Sequence, residues 1–100
     1  MLSLSGTTTL SVYAQNQLNE ELCAAAHRQD LEKANALLAR GADINCDAND
    51  VAETAIAKNR LHILKWAVTS GACKKNLKEI LVEEPGFIKS QEIRKYIESL

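Results

Sequence analysis

The residues of this chain whose chemistry reaches beyond packing are its three cysteines, its two histidines and a few placed carboxylates. Cys23 and His27 stand four apart, so on a helix they share one face, the spacing a thiol nucleophile and its base would use. No third orienting group and no glycine-rich loop to build an oxyanion site accompanies them, and Cys23 adjoins the run Ala24-Ala25-Ala26. The pair therefore reads as packing rather than catalysis. No CxxC occurs, and neither His27 nor His62 falls at a zinc-ligand spacing from a cysteine. An odd number of widely spaced cysteines argues against a secreted disulfide framework, so Cys23, Cys46 and Cys73 are expected to be reduced. Cys46 and Cys73 fall in successive loop regions, where they could approach one another. Asp43 is expected to bond local turn amides. Glu83 and Glu84 are adjacent, so their side chains diverge on a helix. With no phosphate loop, HExxH or GxSxG motif, the expectation is a non-enzymatic protein with no cofactor and no metal.

The elements that must position these groups follow from composition. Hydrophobic residues make up 46% of the 100 residues and charged ones 25%, which suits a single globular domain. Aromatics are only 4%, so the core must be built from alanine and branched aliphatics. One proline and four glycines leave few breakers, which favours helices joined by sharp turns. The net charge of −1 offers no phosphate-neutralising face, so nucleic acid is not an expected partner. No apolar run is long enough to span a membrane. The opening MLSLSGTTTLSVYAQ lacks both a positive start and a continuous apolar stretch, so it is not read as a signal peptide.

Laid on itself with a shift of 30 residues, the chain repeats: Ala25 falls on Ala55, Leu31 on Leu61, Leu38 on Val68, Gly41 on Gly71 and Ala42 on Ala72. Each copy reads as a helix, a short break and a second, leucine-rich helix. The first copy has stripes Leu22, Ala25, Ala26 and Leu31, Ala34, Leu37, Leu38, separated at Arg28-Gln29-Asp30. In the second they are Ala52, Ala55, Ile56 and Leu61, Leu64, Ala67, Val68. Asp50 and Glu53 have capping-box spacing, as do Asn76 and Glu79, and each set predicts a helix start. Gly41 and Gly71 should end the second helices in the left-handed conformation.

Beyond Gly71 the pattern loosens. Leu77, Ile80 and Leu81 predict a helix running to the turn at Pro85-Gly86. Ser90 should cap a last helix with Ile93, Tyr96, Ile97 and Leu100 on its apolar side. Trp66, in the second stripe, reads as a core residue whose neighbour is the 77–82 helix; exposure on the outer face would instead mark a binding hot spot. At the front, Leu10, Ala14, Leu18 and Leu22 extend the first stripe backwards, so the first helix starts near Thr9 or Ser11, or else at Glu20 after a loop at 16–19. Residues 1–9 are expected to be a flexible segment.

The segments AAAHRQDLEKANALLARGADIN and AETAIAKNRLHILKWAVTSGA resemble ankyrin repeats. The alanine pair, the short break, the leucine-rich second helix and Gly-Ala-Asp-Ile-Asn carry the resemblance, over residues 18 to 73. Departures are clear. The family's Thr-Pro-Leu-His appears as Glu20-Glu21-Leu22-Cys23 and Asp50-Val51-Ala52-Glu53, Gln29 and Asn59 replace the glycine of the break, and the period falls short of about 33. The resemblance implies an all-α, ankyrin-like solenoid of stacked antiparallel helix pairs with projecting loops. Residues 10–100 would form one domain, with units at about 10–44, 45–74 and 75–100.

It also implies a module that binds a protein partner through loop tips and the concave face of the first helices. His27, Arg28, Cys46, Asp47, Asn49 and Lys58 are the residues placed there. The alternative function is structural, with the chain self-associating as a homo-oligomer or packing into a larger complex. The implied location is cytoplasmic, or a host cytoplasm, since ankyrin-like proteins include effectors that bacteria deliver into host cells.

Overall fold

The computed structural model describes residues 11–100, with all side chains among them except those of Asp47 and Ala48. Six α-helices follow one another: α1 (Val12–His27), α2 (Leu31–Ala39), α3 (Cys46–Ala57), α4 (Leu61–Thr69), α5 (Lys74–Glu83) and α6 (Gln91–Glu98), with one 3₁₀ turn at Pro85–Phe87. No strand occurs among the described residues, as the composition led one to expect. The flexible segment expected at 1–9, and Leu10 of the first stripe, lie outside the described residues.

The helices pack in consecutive pairs, α1 with α2, α3 with α4 and α5 with α6, and α1 also lies against α3. The core is what the two stripes supply. Leu22, Val51, Ile56, Ile63, Leu64, Leu77, Ile93 and Ile97 are the largest fully buried side chains. Ala25, Ala26, Ala34, Ala52, Ala55 and Ala67 are buried with them. Each large aliphatic contributes about 2 kcal/mol of transfer free energy, while alanine loses no side-chain entropy on burial.

The first four helices end in one and the same way. A residue past the helix takes positive φ and donates to the carbonyl three back; the next residue donates to the carbonyl five back. Gln29, Gly41, Asn59 and Gly71 are these residues. Gly41 N–H reaches Leu38 O at 3.0 Å and Ala42 N–H reaches Leu37 O at 3.0 Å; Gln29 and Asp30 bond Ala26 O and Ala25 O at 2.9 and 2.8 Å. Their φ values explain the residue types. Gln29 at 64° and Asn59 at 58° sit in the left-handed well that L-residues tolerate, whereas Gly41 at 109° and Gly71 at 110° lie well beyond it.

The starts of the helices correct several expectations. Ser11 caps α1, its Oγ accepting from Ala14 N–H at 3.1 Å, and no loop interrupts 16–19. The Asp50–Glu53 capping box does not form. α3 begins at Cys46, with Asn45 at its N-cap and no side-chain cap bond. Within α3, Asn49 has φ of 70°, so the first turn is set off from the regular helix that resumes at Asp50. The Asp50 carboxylate, one turn inside, bonds elsewhere. The Asn76–Glu79 box is likewise absent: α5 starts at Lys74 and holds Asn76 in its first turn. Ser90 does cap α6, accepting from Ile93 N–H at 3.3 Å.

Single side chains tie the pairs together. Arg60 Nη1 donates to His27 O at 2.8 Å, and Trp66 Nε1 donates to Asn35 Oδ1 at 2.8 Å, joining α4 to α2. The half-buried indole thus reaches back to the preceding pair, where the sequence reading looked for a neighbour in the 77–82 helix. Lys65 Nζ stands 5.6 Å from the centre of the Tyr96 ring, linking α4 to α6.

Candidate binding surface

Asn19, Cys23 and His27 lie at intervals of four on α1 and so form one vertical row. Asn19 meets the turn before α3, and Cys23 and His27 meet α3 itself. Asn19 Oδ1 accepts from Asp43 N–H at 2.9 Å, Cys23 Sγ contacts Cys46 Sγ at 3.3 Å, and His27 Nε2 bonds Asp50 Oδ2 at 2.9 Å. This seam resolves the Cys23–His27 pair noted in the sequence. The two residues share a face, and each is engaged with a different partner on α3. It also locates the cysteine approach between Cys23 and Cys46, where the sequence had suggested Cys46 and Cys73. Cys73 is half-buried at the start of α5, its N–H taken by Asn45 Oδ1 at 2.9 Å.

The six residues placed on the binding face separate into two groups. His27, Arg28 and Lys58 are exposed at the C-terminal ends of α1 and α3, with Arg28 and Lys58 as the two C-caps. His27 is held by Asp50, which also accepts from Thr54 Oγ1 at 3.4 Å. Cys46 and Asn49 are buried, at 7% and 4% exposure, in the first turn of α3, so neither presents a loop-tip surface. The side chain of Asp47 is not among those described. Asp43 braces its turn as expected, Oδ1 accepting from Asn45 N–H at 2.9 Å.

A feature the sequence reading passed over opens between α3 and α5. Asn49 and Glu53 line one wall; Asn76, Glu79, Ile80 and Glu83 line the other, with Glu84 at the end of α5. The α5 residues follow the helical spacing i, i+3, i+4, i+7, so their common face was legible in the sequence. The sequence by itself marks only the adjacent Glu83 and Glu84 as a carboxylate pair. The groove measures about 240 Å³, below the usual range for drug-sized ligands and suited to one or two long side chains. Lys75, Lys78 and the exposed Val82 lie around a separate depression that shares Glu79 and Glu83.

Among the described residues, no cluster of His, Cys, Asp and Glu is placed to hold a metal ion, and no helix is long and apolar enough to cross a membrane. Comparison with known proteins returns no matching family model, no matching curated protein and no matching solved structure.

Proposed function

We propose that the chain is a non-enzymatic protein-binding module of ankyrin-like design, engaging its partner through the first helix of each pair and the turns beside them. The observation that carries this reading is the open groove between α3 and α5, two successive first helices, together with the exposed His27, Arg28 and Lys58 at the ends of α1 and α3. Four identical helix endings and three consecutive helix pairs support the repeat character. A surface built on short helices locked by caps and cross-unit bonds is preorganised, which lowers the ordering cost of binding. A cytoplasmic location, in the chain's own cell or in a host, goes with this reading.

The test is capture from lysate with the tagged chain and with Arg28→Glu/Lys58→Glu. Both residues are exposed C-caps outside the core, so the circular dichroism spectrum should stay unchanged while specific capture is lost. Capture that survives both reversals removes this face from the reading.

The assembly alternative has its own observation. Val12, Tyr13 and Val82 are 78%, 74% and 81% exposed, apolar groups on the first helix and on α5. If copies stack through these ends, light scattering should show mass rising with concentration. A strict monomer eliminates the alternative.

A further inference from the structure

The groove between α3 and α5 carries one sign of charge. Glu53, Glu79, Glu83 and Glu84 line it, and no lysine or arginine does. Among the described residues the only carboxylate within 4.0 Å of a basic side chain is Asp50, beside His27 on the α1 side of α3, so none of these four has such a contact there. Lys75 and Lys78 border the other depression, on the Val82 side of α5, which Glu79 and Glu83 also line. Parallel carboxylates on facing walls repel each other, and a cation between them relieves that repulsion.

A second, independent observation points to a ligand. Asn49 is 4% exposed and lines the same groove, and its carboxamide makes no hydrogen bond among the described residues. No side-chain nitrogen or oxygen among the described residues is buried without a partner, so what this side chain exposes is its carboxamide, whose two donors and acceptor are open to a ligand. Its backbone has φ of 70°, outside the regular helical range. Ile80, half-buried, gives the groove its apolar wall.

We propose that the groove is the docking site for an arginine-bearing peptide segment of the partner protein. The guanidinium is held among Glu53, Glu79 and Glu83, its aliphatic stem lies on Ile80, and the Asn49 carboxamide bonds the peptide backbone. Arginine is favoured over lysine because its planar fork of donors can serve two carboxylates at once. The groove volume admits one or two such side chains. This inference rests on the protein-binding reading and names the chemistry of its partner.

The experiment titrates the full ¹⁵N-labelled chain with a short arginine/alanine peptide and with lysine/alanine and glutamate/alanine versions at physiological salt. The arginine peptide should shift the amides of Asn49, Glu53, Asn76 and Glu79, the lysine peptide should bind more weakly, and the glutamate peptide should not bind. Glu53→Gln/Glu79→Gln should weaken binding roughly tenfold, a loss on the scale of one desolvated charge pair. Asn49→Gly keeps the positive φ while deleting the carboxamide, and should weaken binding several-fold with the fold intact. Glu32→Gln/Glu98→Gln makes the same charge change on the exposed faces of α2 and α6 and should change nothing. Shifts centred elsewhere, equal sensitivity to the α2/α6 control, or shifts of these amides by calcium chloride and not by peptide would overturn the proposal. Such an outcome leaves the protein-binding reading standing if capture still depends on Arg28 and Lys58. Loss of both would remove the two together.

Discussion

Asn45 holds the turn at Gly71 from both sides: its Nδ2 donates to Gly71 O at 3.1 Å while its Oδ1 accepts from Cys73 N–H at 2.9 Å. The first unit divides this work between two residues. Gln15 Nε2 donates to Gly41 O at 2.9 Å, and Asn19 Oδ1 accepts from Asp43 N–H at 2.9 Å. One carboxamide in the second unit therefore replaces two in the first. Asn45→Ala should cost about 2 kcal/mol, since it strands a donor and an acceptor together. Asn45→Asp, which keeps the acceptor and sets an anion against the Gly71 carbonyl, should also destabilise. Urea midpoints at constant slope would show this; a midpoint equal to wild type for Asn45→Ala would mean water replaces both bonds without loss.

Asp30 and Asp50 look alike in the sequence and differ in the structure. Asp30 caps α2, accepting from Lys33 N–H at 3.1 Å, whereas Asp50 lies inside α3 and bonds His27 and Thr54. Asp30→Ala should lower stability by about 1 kcal/mol. Asp50→Ala breaks a partly exposed, screened pair and should cost less than about 1 kcal/mol. Thermal melts of the two variants would rank them; the reverse order contradicts these roles.

What could be read from the chain and what could not divide along the same line. Gly41, Gly71 and Ser90 were legible because their tasks are local: a left-handed turn or a cap is specified within five residues. Asp50 and Asn76 have cap spacing yet lie inside their helices, because an earlier turn offers a second start at Cys46 and at Lys74. At α5 the earlier start is helped by Asn45, 28 residues upstream, which no local pattern announces. The Cys23–Cys46 contact and the Asn35–Trp66 bond depend on how one pair lies against the next, and a repeat shift alone does not specify that register. The groove lay between readable and hidden. Its α5 wall has plain helical spacing, but Glu53 opposite it becomes a neighbour only through packing.

Gly71→Ala tests why glycine is needed at that ending. A Cβ added there would meet Ile44 Cγ2 at 3.8 Å, an ordinary contact, so the cost comes from φ of 110° rather than from crowding. About 1 kcal/mol or more is expected for L-alanine. A chain made by chemical ligation with D-alanine at 71 should recover most of it, because the mirror-image residue accepts positive φ. Equal losses for the two alanines would point to the contact instead.

Trp66 and Asn35 should be energetically coupled. Trp66→Phe keeps an aromatic ring and removes the indole N–H; Asn35→Ala removes its acceptor. A double-mutant cycle from denaturation should give about 1 kcal/mol of interaction, the usual net value of one such bond. Strict additivity would show that ring packing alone places the tryptophan.

The guanidinium of Arg60 has a consequence for the order in which the chain opens. It sits at the start of α4 and binds the last carbonyl of α1, so the first pair completes its hydrogen bonding only when the second is in place. The third pair has bonds of its own, Arg94 donating to Pro85 O and Ile88 O, both at 3.0 Å, and is tied to the second by the Asn45–Cys73 bond and the Lys65–Tyr96 contact. The first two pairs should therefore behave as one cooperative unit in amide hydrogen exchange, while α5 and α6 open as a separate, less protected one. The groove between α3 and α5 lies on that boundary, so a segment bound there would clasp the two cooperative units together and slow exchange across α5 and α6 without touching most of their residues.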